Sequence, residues 1–124
     1  MTKNILTVDD EIGVSYTIKH GLEDLDSDYV VTCVDSGKKC FEFLEKNKIP
    51  DLILLDIMMP DMTGWEVLQK LKENVDWQKI PIIFLSARTD RVASHAGGFL
   101  AQDYIEKPFE ISELKQRIDK VLKK

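Results

Sequence analysis

The chain is 124 residues long, 44% hydrophobic and 31% charged, with a formal net charge of −5. That length fits one domain with a core large enough to need no disulfide or metal staple. The composition excludes a disordered or fibrous chain, and the lack of a basic cluster excludes a direct DNA- or RNA-binding surface. No stretch is long and apolar enough to span a bilayer, and the opening MTKNILTVDDE has too short an apolar run for a signal peptide. The expectation is a cytoplasmic protein that does not engage a membrane.

The first apolar run, ILTV at 5–8, ends in Asp9, Asp10 and Glu11. A helical pattern follows, with Val14, Ile18, Leu22 and Leu25 at helical spacing. The second run is YVVTCV at 29–34, and the helix after it is marked by Cys40, Phe41 and Leu44. The third run, LILL at 52–55, passes directly into Asp56, and Val67, Leu68 and Leu71 mark the next helix. The fourth run, IPIIFL at 80–85, is followed by Ser86. The pattern over 89–99 is the weakest helix, since Gly97 and Gly98 each cost about 1 kcal/mol relative to alanine. The fifth run, YI at 104–105, precedes Lys107, and Leu114, Ile118, Val121 and Leu122 form the last helix. Its closing DKVLKK sets cations at the negative end of the helix dipole rather than making a nucleic-acid patch.

The middle runs are continuous rather than alternating, as in parallel strands covered on both faces. Strand alternating with helix gives an α/β fold with right-handed crossovers. Five such units in a chain this size predict an open, doubly wound, five-stranded parallel sheet, (βα)5, forming one domain over residues 1–124. No repeat, low-complexity segment or linker interrupts it. Cys33 and Cys40, with no CxxC spacing, read as small buried hydrophobes with free thiols. His20 and His95 lack metal-ligand spacing and read as surface or boundary residues.

In an open α/β sheet, ligands sit beyond the carboxyl ends of the strands. Asp9, Asp10, Asp56, Ser86 and Lys107 all fall there. Each alone has a plainer reading: Asp10 suits a helix N-cap, Ser86 a cap or turn, Lys107 an ordinary surface position. Their joint placement asks for more. Two carboxylates about 5 Å apart repel by roughly 3 kcal/mol at an effective dielectric of about 20. Three do not all stay ionised without a cation. Lys107 supplies one positive charge and a divalent ion the rest. A sparse, oxygen-only ligand set favours Mg²⁺, which keeps several waters and often bridges to a phosphate. The expectation is a Mg²⁺ site formed by Asp9, Asp10 and Asp56.

The segments ILTVDDE, LILLDIMMPDMTGWEVL, PIIFLSA and DYIEKPF resemble, in order and spacing, the receiver domain of two-component response regulators, chemotaxis-type single receivers included. The resemblance covers essentially the whole chain. It implies a flavodoxin-like sheet order 2-1-3-4-5. It implies that Asp56 takes a phosphoryl group from the phosphohistidine of a sensor histidine kinase or phosphotransfer protein. Asp10 and Asp56 would bind Mg²⁺ directly, Asp9 mainly through water, and the Met58 carbonyl would complete the protein's share. Ser86 and Lys107 would each bind a phosphoryl oxygen, and the Lys107–Pro108 bond would be cis. Ser86 and Tyr104 match the family's switch pair, and Met58 and Arg88 the positions that tune dephosphorylation, here toward a slow to moderate rate. The surface of the last two predicted helices and the fifth strand would then change for a downstream target protein. The chain departs from the family in having Leu100-Ala101 where Gly-Ala is usual, which implies a looser or shorter fourth helix. It reads as a stand-alone receiver or one cut from a larger regulator.

Three other readings compete. A Mg²⁺-dependent phosphohydrolase of the haloacid dehalogenase type wants a second aspartate two residues after the nucleophile, where this chain has Met58, and needs room for a substrate cap. A flavin-binding module wants a glycine- and hydroxyl-rich phosphate loop where this chain has Asp9-Asp10-Glu11. A receiver-like binding module that is never phosphorylated would not need all five site residues.

Overall fold

A computed structural model of the chain describes residues 1–87 and 101–123. The elements are β1 (Lys3–Val8), α1 (Ile12–Leu25), β2 (Tyr29–Val34), α2 (Gly37–Lys46), β3 (Leu52–Asp56), α3 (Gly64–Lys72), β4 (Ile82–Ser86), β5 (Asp103–Glu106) and α4 (Ile111–Leu122). The helix expected over 89–99, and with it Arg88, His95, Gly97 and Gly98, lies outside the described residues. All neighbouring strands pair in parallel, in the order β2-β1-β3-β4-β5. The expected doubly wound sheet and its strand order are therefore observed, with the switch point between β1 and β3.

The continuous apolar runs have a simple cause. Every residue of β3 and of β4 is buried, because helices cover both faces of the sheet. On one face, Cys40 and Leu44 of α2 and Val67, Leu68 and Leu71 of α3 pack against Leu6, Val8, Ile53, Leu55 and Phe84. On the other, Ile18 and Leu22 of α1 and Leu114 and Ile118 of α4 pack against Ile5, Val31, Leu54, Ile83 and Ile105. Leu25, read from its spacing as part of the α1 core face, is instead exposed, while Ser15 of the same helix is buried. Cys40 is a buried small hydrophobe as expected, its thiol pushed up to about 12 by burial; Cys33 is only half-buried, and both thiols are free.

Local chemistry sets the helix starts. Thr63 and Glu66 form a capping box at α3: the Glu66 N–H donates to the Thr63 hydroxyl at 3.3 Å and the Thr63 N–H to the Glu66 carboxylate at 2.9 Å. Ser36 caps α2 by accepting from the Lys39 N–H at 3.1 Å. The cap of α1 is Glu11, not Asp10, and it makes no side-chain cap bond. The plain N-cap reading of Asp10 therefore does not hold.

Gly64 answers a demand of close approach. Its backbone φ is not positive, so no unusual backbone angle is needed. A Cβ there would lie 2.5 Å from the Asp56 carbonyl oxygen and 2.9 Å from the Ile57 Cα, while its N–H donates to the Ile57 carbonyl at 2.8 Å. The start of α3 is thus pressed onto the end of β3. Gly64→Ala is expected to lower stability by about 1–3 kcal/mol, read from urea melts. Gly13→Ala is the control: a Cβ at Gly13 meets nothing within 4 Å, so gain in helix propensity should leave that variant as stable or up to about 1 kcal/mol more so.

Candidate functional site

The site is built where strands end. Val8 and Leu55 are aligned on the neighbouring strands β1 and β3, so the next residues, Asp9 and Asp56, meet at the same edge. Both are buried, at 1% and 4% exposure, while Asp10 is exposed beside them. Carboxylate oxygens of Asp9, Asp10 and Asp56 all lie within 4.8 Å of one another. Lys107 follows β5, and its main-chain N–H donates to the Ser86 carbonyl at 2.6 Å. The Lys107–Pro108 peptide is cis. The Lys107 ammonium donates to Asp9 Oδ2 at 3.0 Å and to Asp56 Oδ1 at 3.4 Å.

Ser86 ends β4, where it is wholly buried. Among the described residues, its Oγ is a buried side-chain polar atom without a hydrogen-bond partner. Such an atom costs free energy unless something else bonds it. Five of the expected residues, Asp9, Asp10, Asp56, Ser86 and Lys107, thus occupy one strand-end edge. Asp56 and Ser86 prove to be the last residues of their strands rather than the residues after them.

The remaining expected residues sit apart or outside. Met58 is two positions past β3 and 62% exposed. Tyr104 lies within β5, half-buried, its ring 6.3 Å from that of Phe84. Arg88 falls outside the described residues. One participant was not singled out from the sequence: the Glu11 carboxylate accepts from Lys107 at 3.5 Å. The run Asp9-Asp10-Glu11 carried the signal, since a third acid one residue on can reach the same cation. An apolar groove of about 490 Å³, lined by Gly13, Val14, Thr17, Pro108, Phe109 and Ile111, opens beside Lys107.

The charges are strongly coupled. Burial, reinforced by the neighbouring Asp9 charge, pushes the Asp56 carboxyl up to about 7 against the opposing pull of Lys107. Burial alone would lower the Lys107 ammonium, but its bonds to Asp9 and the charge of Asp56 raise it. An oxygen-only cluster of three acids with a single ammonium fits a hard divalent cation such as Mg²⁺.

A family model for the response regulator receiver domain matches residues 5–119. The chain belongs to this family. It is 34% identical over 122 residues to response regulator Rre1 of Synechocystis sp., covering 96% of this chain and 51% of that protein. It is 32% identical to the two-component response regulator ORR3 of Oryza sativa subsp. indica, covering 98% and 92%. The receiver domain of a signal transduction histidine kinase from Syntrophus aciditrophicus superposes with a TM-score of 0.86 at 32% identity, covering 98% and 91%. For several of the curated relatives the receiver spans only about half their length. No helix among the described residues is long and apolar enough to cross a membrane.

The raised Asp56 carboxyl makes this receiver's stability pH-dependent. The folded state holds that proton more tightly than the unfolded state, whose carboxyl titrates near 3.9. The group's favourable contribution is complete below about 4 and is lost as pH rises through about 7. Asp56→Asn removes this loss. In metal-free buffer the variant is expected to melt above the wild type at pH 8, with the difference shrinking toward pH 4. A constant difference across that range in a thermal melt would contradict the assignment.

Proposed function

We propose that this receiver, one domain over residues 1–124, is a cytoplasmic phosphoacceptor. Asp56 takes a phosphoryl group from the phosphohistidine of a sensor histidine kinase or phosphotransfer protein, and the change is read by a downstream target protein. The observation that carries this reading is the convergence of Asp9, Asp10, Asp56, Lys107 and the unpartnered Ser86 hydroxyl at one sheet edge.

The chemistry follows from those groups. An Asp56 oxygen forms the new O–P bond as the P–N bond to the donor imidazole breaks, and that electron pair leaves with the nitrogen. Lys107, already between Asp9 and Asp56, pairs with one phosphoryl oxygen. Ser86 donates its free hydroxyl to another, which satisfies the buried atom. Ala87 is small and leaves the approach open. Asp9, Asp10 and Asp56, with the Met58 carbonyl, would hold Mg²⁺, which when bound offsets the charge on the transferring oxygens. The receiver assists its own phosphorylation and a slow autodephosphorylation but turns over no separate substrate. Switching follows as Ser86 moves toward the phosphoryl group and Tyr104 turns inward, a population shift biased by the new contact. The domain itself binds neither nucleic acid nor membrane.

The test is incubation with acetyl phosphate and Mg²⁺ followed by intact-mass measurement. One added phosphoryl group is expected in the wild type and none in Asp56→Asn. An unmodified wild type would leave a receiver-like module that is not phosphorylated. Steady hydrolysis of a small phosphomonoester would revive the phosphohydrolase.

The groove beside Lys107 supports a macromolecular donor. Gly13 lines it and has open space at its Cβ. Gly13→Arg is therefore expected to slow transfer from a kinase at least tenfold, about 1.4 kcal/mol, while leaving labelling by acetyl phosphate unchanged. Met58 and Arg88 tune how long the phosphoryl group survives. Met58→Ala is expected to alter its half-life, followed by loss of the added mass after acetyl phosphate is removed.

A further inference from the structure

Phe84 and Ser86 are two residues apart on β4, so their side chains leave the same face of the sheet. Phe84 is fully buried and in register with Tyr104 of β5. Phe84 also meets the half-buried Trp65 ring, with centroids 4.7 Å apart and planes at 53°. Trp65 is the second residue of α3 and follows Gly64, whose backbone is pressed against the carbonyl of Asp56. Trp65 is thus joined to the site residue by backbone contact and to Tyr104 through one intervening ring.

From this geometry we infer that Trp65, acting through Phe84, is a positioning residue that limits how far the Tyr104 ring turns inward. The inference rests on the proposed role of Tyr104 as a switch driven by phosphorylation of Asp56. The physical ground is close packing. A buried ring moves only when its neighbours yield volume, and removing a large side chain lets the surrounding groups relax into the space it leaves. While Trp65 fills its place, Phe84 stays against Tyr104. A shorter side chain at 65 lets Phe84 tilt away and gives Tyr104 inward room before any phosphoryl group arrives. Trp65→Phe keeps most of the ring contact and should behave as the wild type does.

The test labels the three tyrosines, Tyr16, Tyr29 and Tyr104, with 3-fluorotyrosine. Tyr104→Phe assigns the Tyr104 resonance in the ¹⁹F spectrum. Spectra are taken before and after acetyl phosphate and Mg²⁺, with intact mass measured on each sample. In the wild type the Tyr104 resonance should shift in step with the phosphorylated fraction. In Trp65→Leu without phosphoryl donor it should already lie part of the way along that shift, while Trp65→Phe should overlay the wild type. Phe84→Leu takes the place of Trp65→Leu if the latter melts below the measuring temperature, with the same expected shift. A Trp65→Leu resonance that coincides with the unphosphorylated wild type, or leaves the line joining the two wild-type positions, overturns the inference. So does a wild-type resonance that stays still although the mass rises. No gain in mass overturns the phosphoacceptor reading itself, so the two failures are distinct.

Discussion

The structure depends on one buried electrostatic arrangement: a lysine ammonium held between two carboxylates that have almost no contact with solvent. Lys107 bonds Asp9 at 3.0 Å and Asp56 at 3.4 Å, and those acids are 1% and 4% exposed. Buried charge is tolerated only when it is paired, and two acids sharing one ammonium are incompletely paired. The deficit appears in Asp56, whose carboxyl is pushed up to about 7. A domain selected only for stability would put apolar residues at these positions. Under the proposed function, a cation and a transferring anionic group would complete the set around this under-neutralised aspartate at the end of a wholly buried strand.

The fold makes that arrangement possible by bringing together residues remote in sequence. Asp9 and Asp56 belong to adjacent strands, while Lys107 follows the edge strand two places further on. It reaches them because the β4 end, with Ser86 accepting from the Lys107 N–H at 2.6 Å, supports the chain after β5. All five strands run in the same direction. All the carboxyl ends therefore share one edge, and any polar residue written after an apolar run arrives there.

That rule is why so much was legible in the sequence. Continuous runs such as LILL and IIFL could only be buried on both sides, and Asp56 and Ser86 at their ends had one edge to occupy. What stayed hidden depends on distances between elements rather than on patterns within them. Glu11 is written next to Asp9 and Asp10, yet its reach to Lys107, 96 positions away, appears only in three dimensions. Ser15 shares a helix face with Ile18 and Leu22, three and seven residues on, but its polar side chain gave no cause to count it as core; in the fold its hydroxyl meets that of Thr7 at 3.3 Å. Leu25 follows the α1 period but is the last residue of that helix and is left exposed. A glycine at position 64 suits either an unusual backbone angle or a close approach, and only the fold, with no positive φ there and the Asp56 carbonyl against it, separates the two.

The opposite end of the sheet is held by a separate set of charged contacts. There the Tyr29 hydroxyl donates to Asp119 at 2.5 Å, and Lys3 and Lys115 bridge Asp119 and Asp26 while lying over the Tyr29 ring. These contacts tie β1, β2 and the end of α1 to α4. Two residues before Asp119 on α4, Arg117 makes a two-pronged bond to Asp103 at 2.7 Å on each oxygen and reaches the Tyr104 carbonyl at 3.2 Å. Burial would raise the Asp103 carboxyl, but the Arg117 bonds outweigh it and hold it below the usual carboxylate range. The amino end of β5 is therefore fastened to α4, and α4 to the far edge of the sheet. Under the proposed function, a phosphoryl group that engages Lys107 and Ser86 would act on the carboxyl edge of the sheet, while these contacts hold its amino end and α4 together.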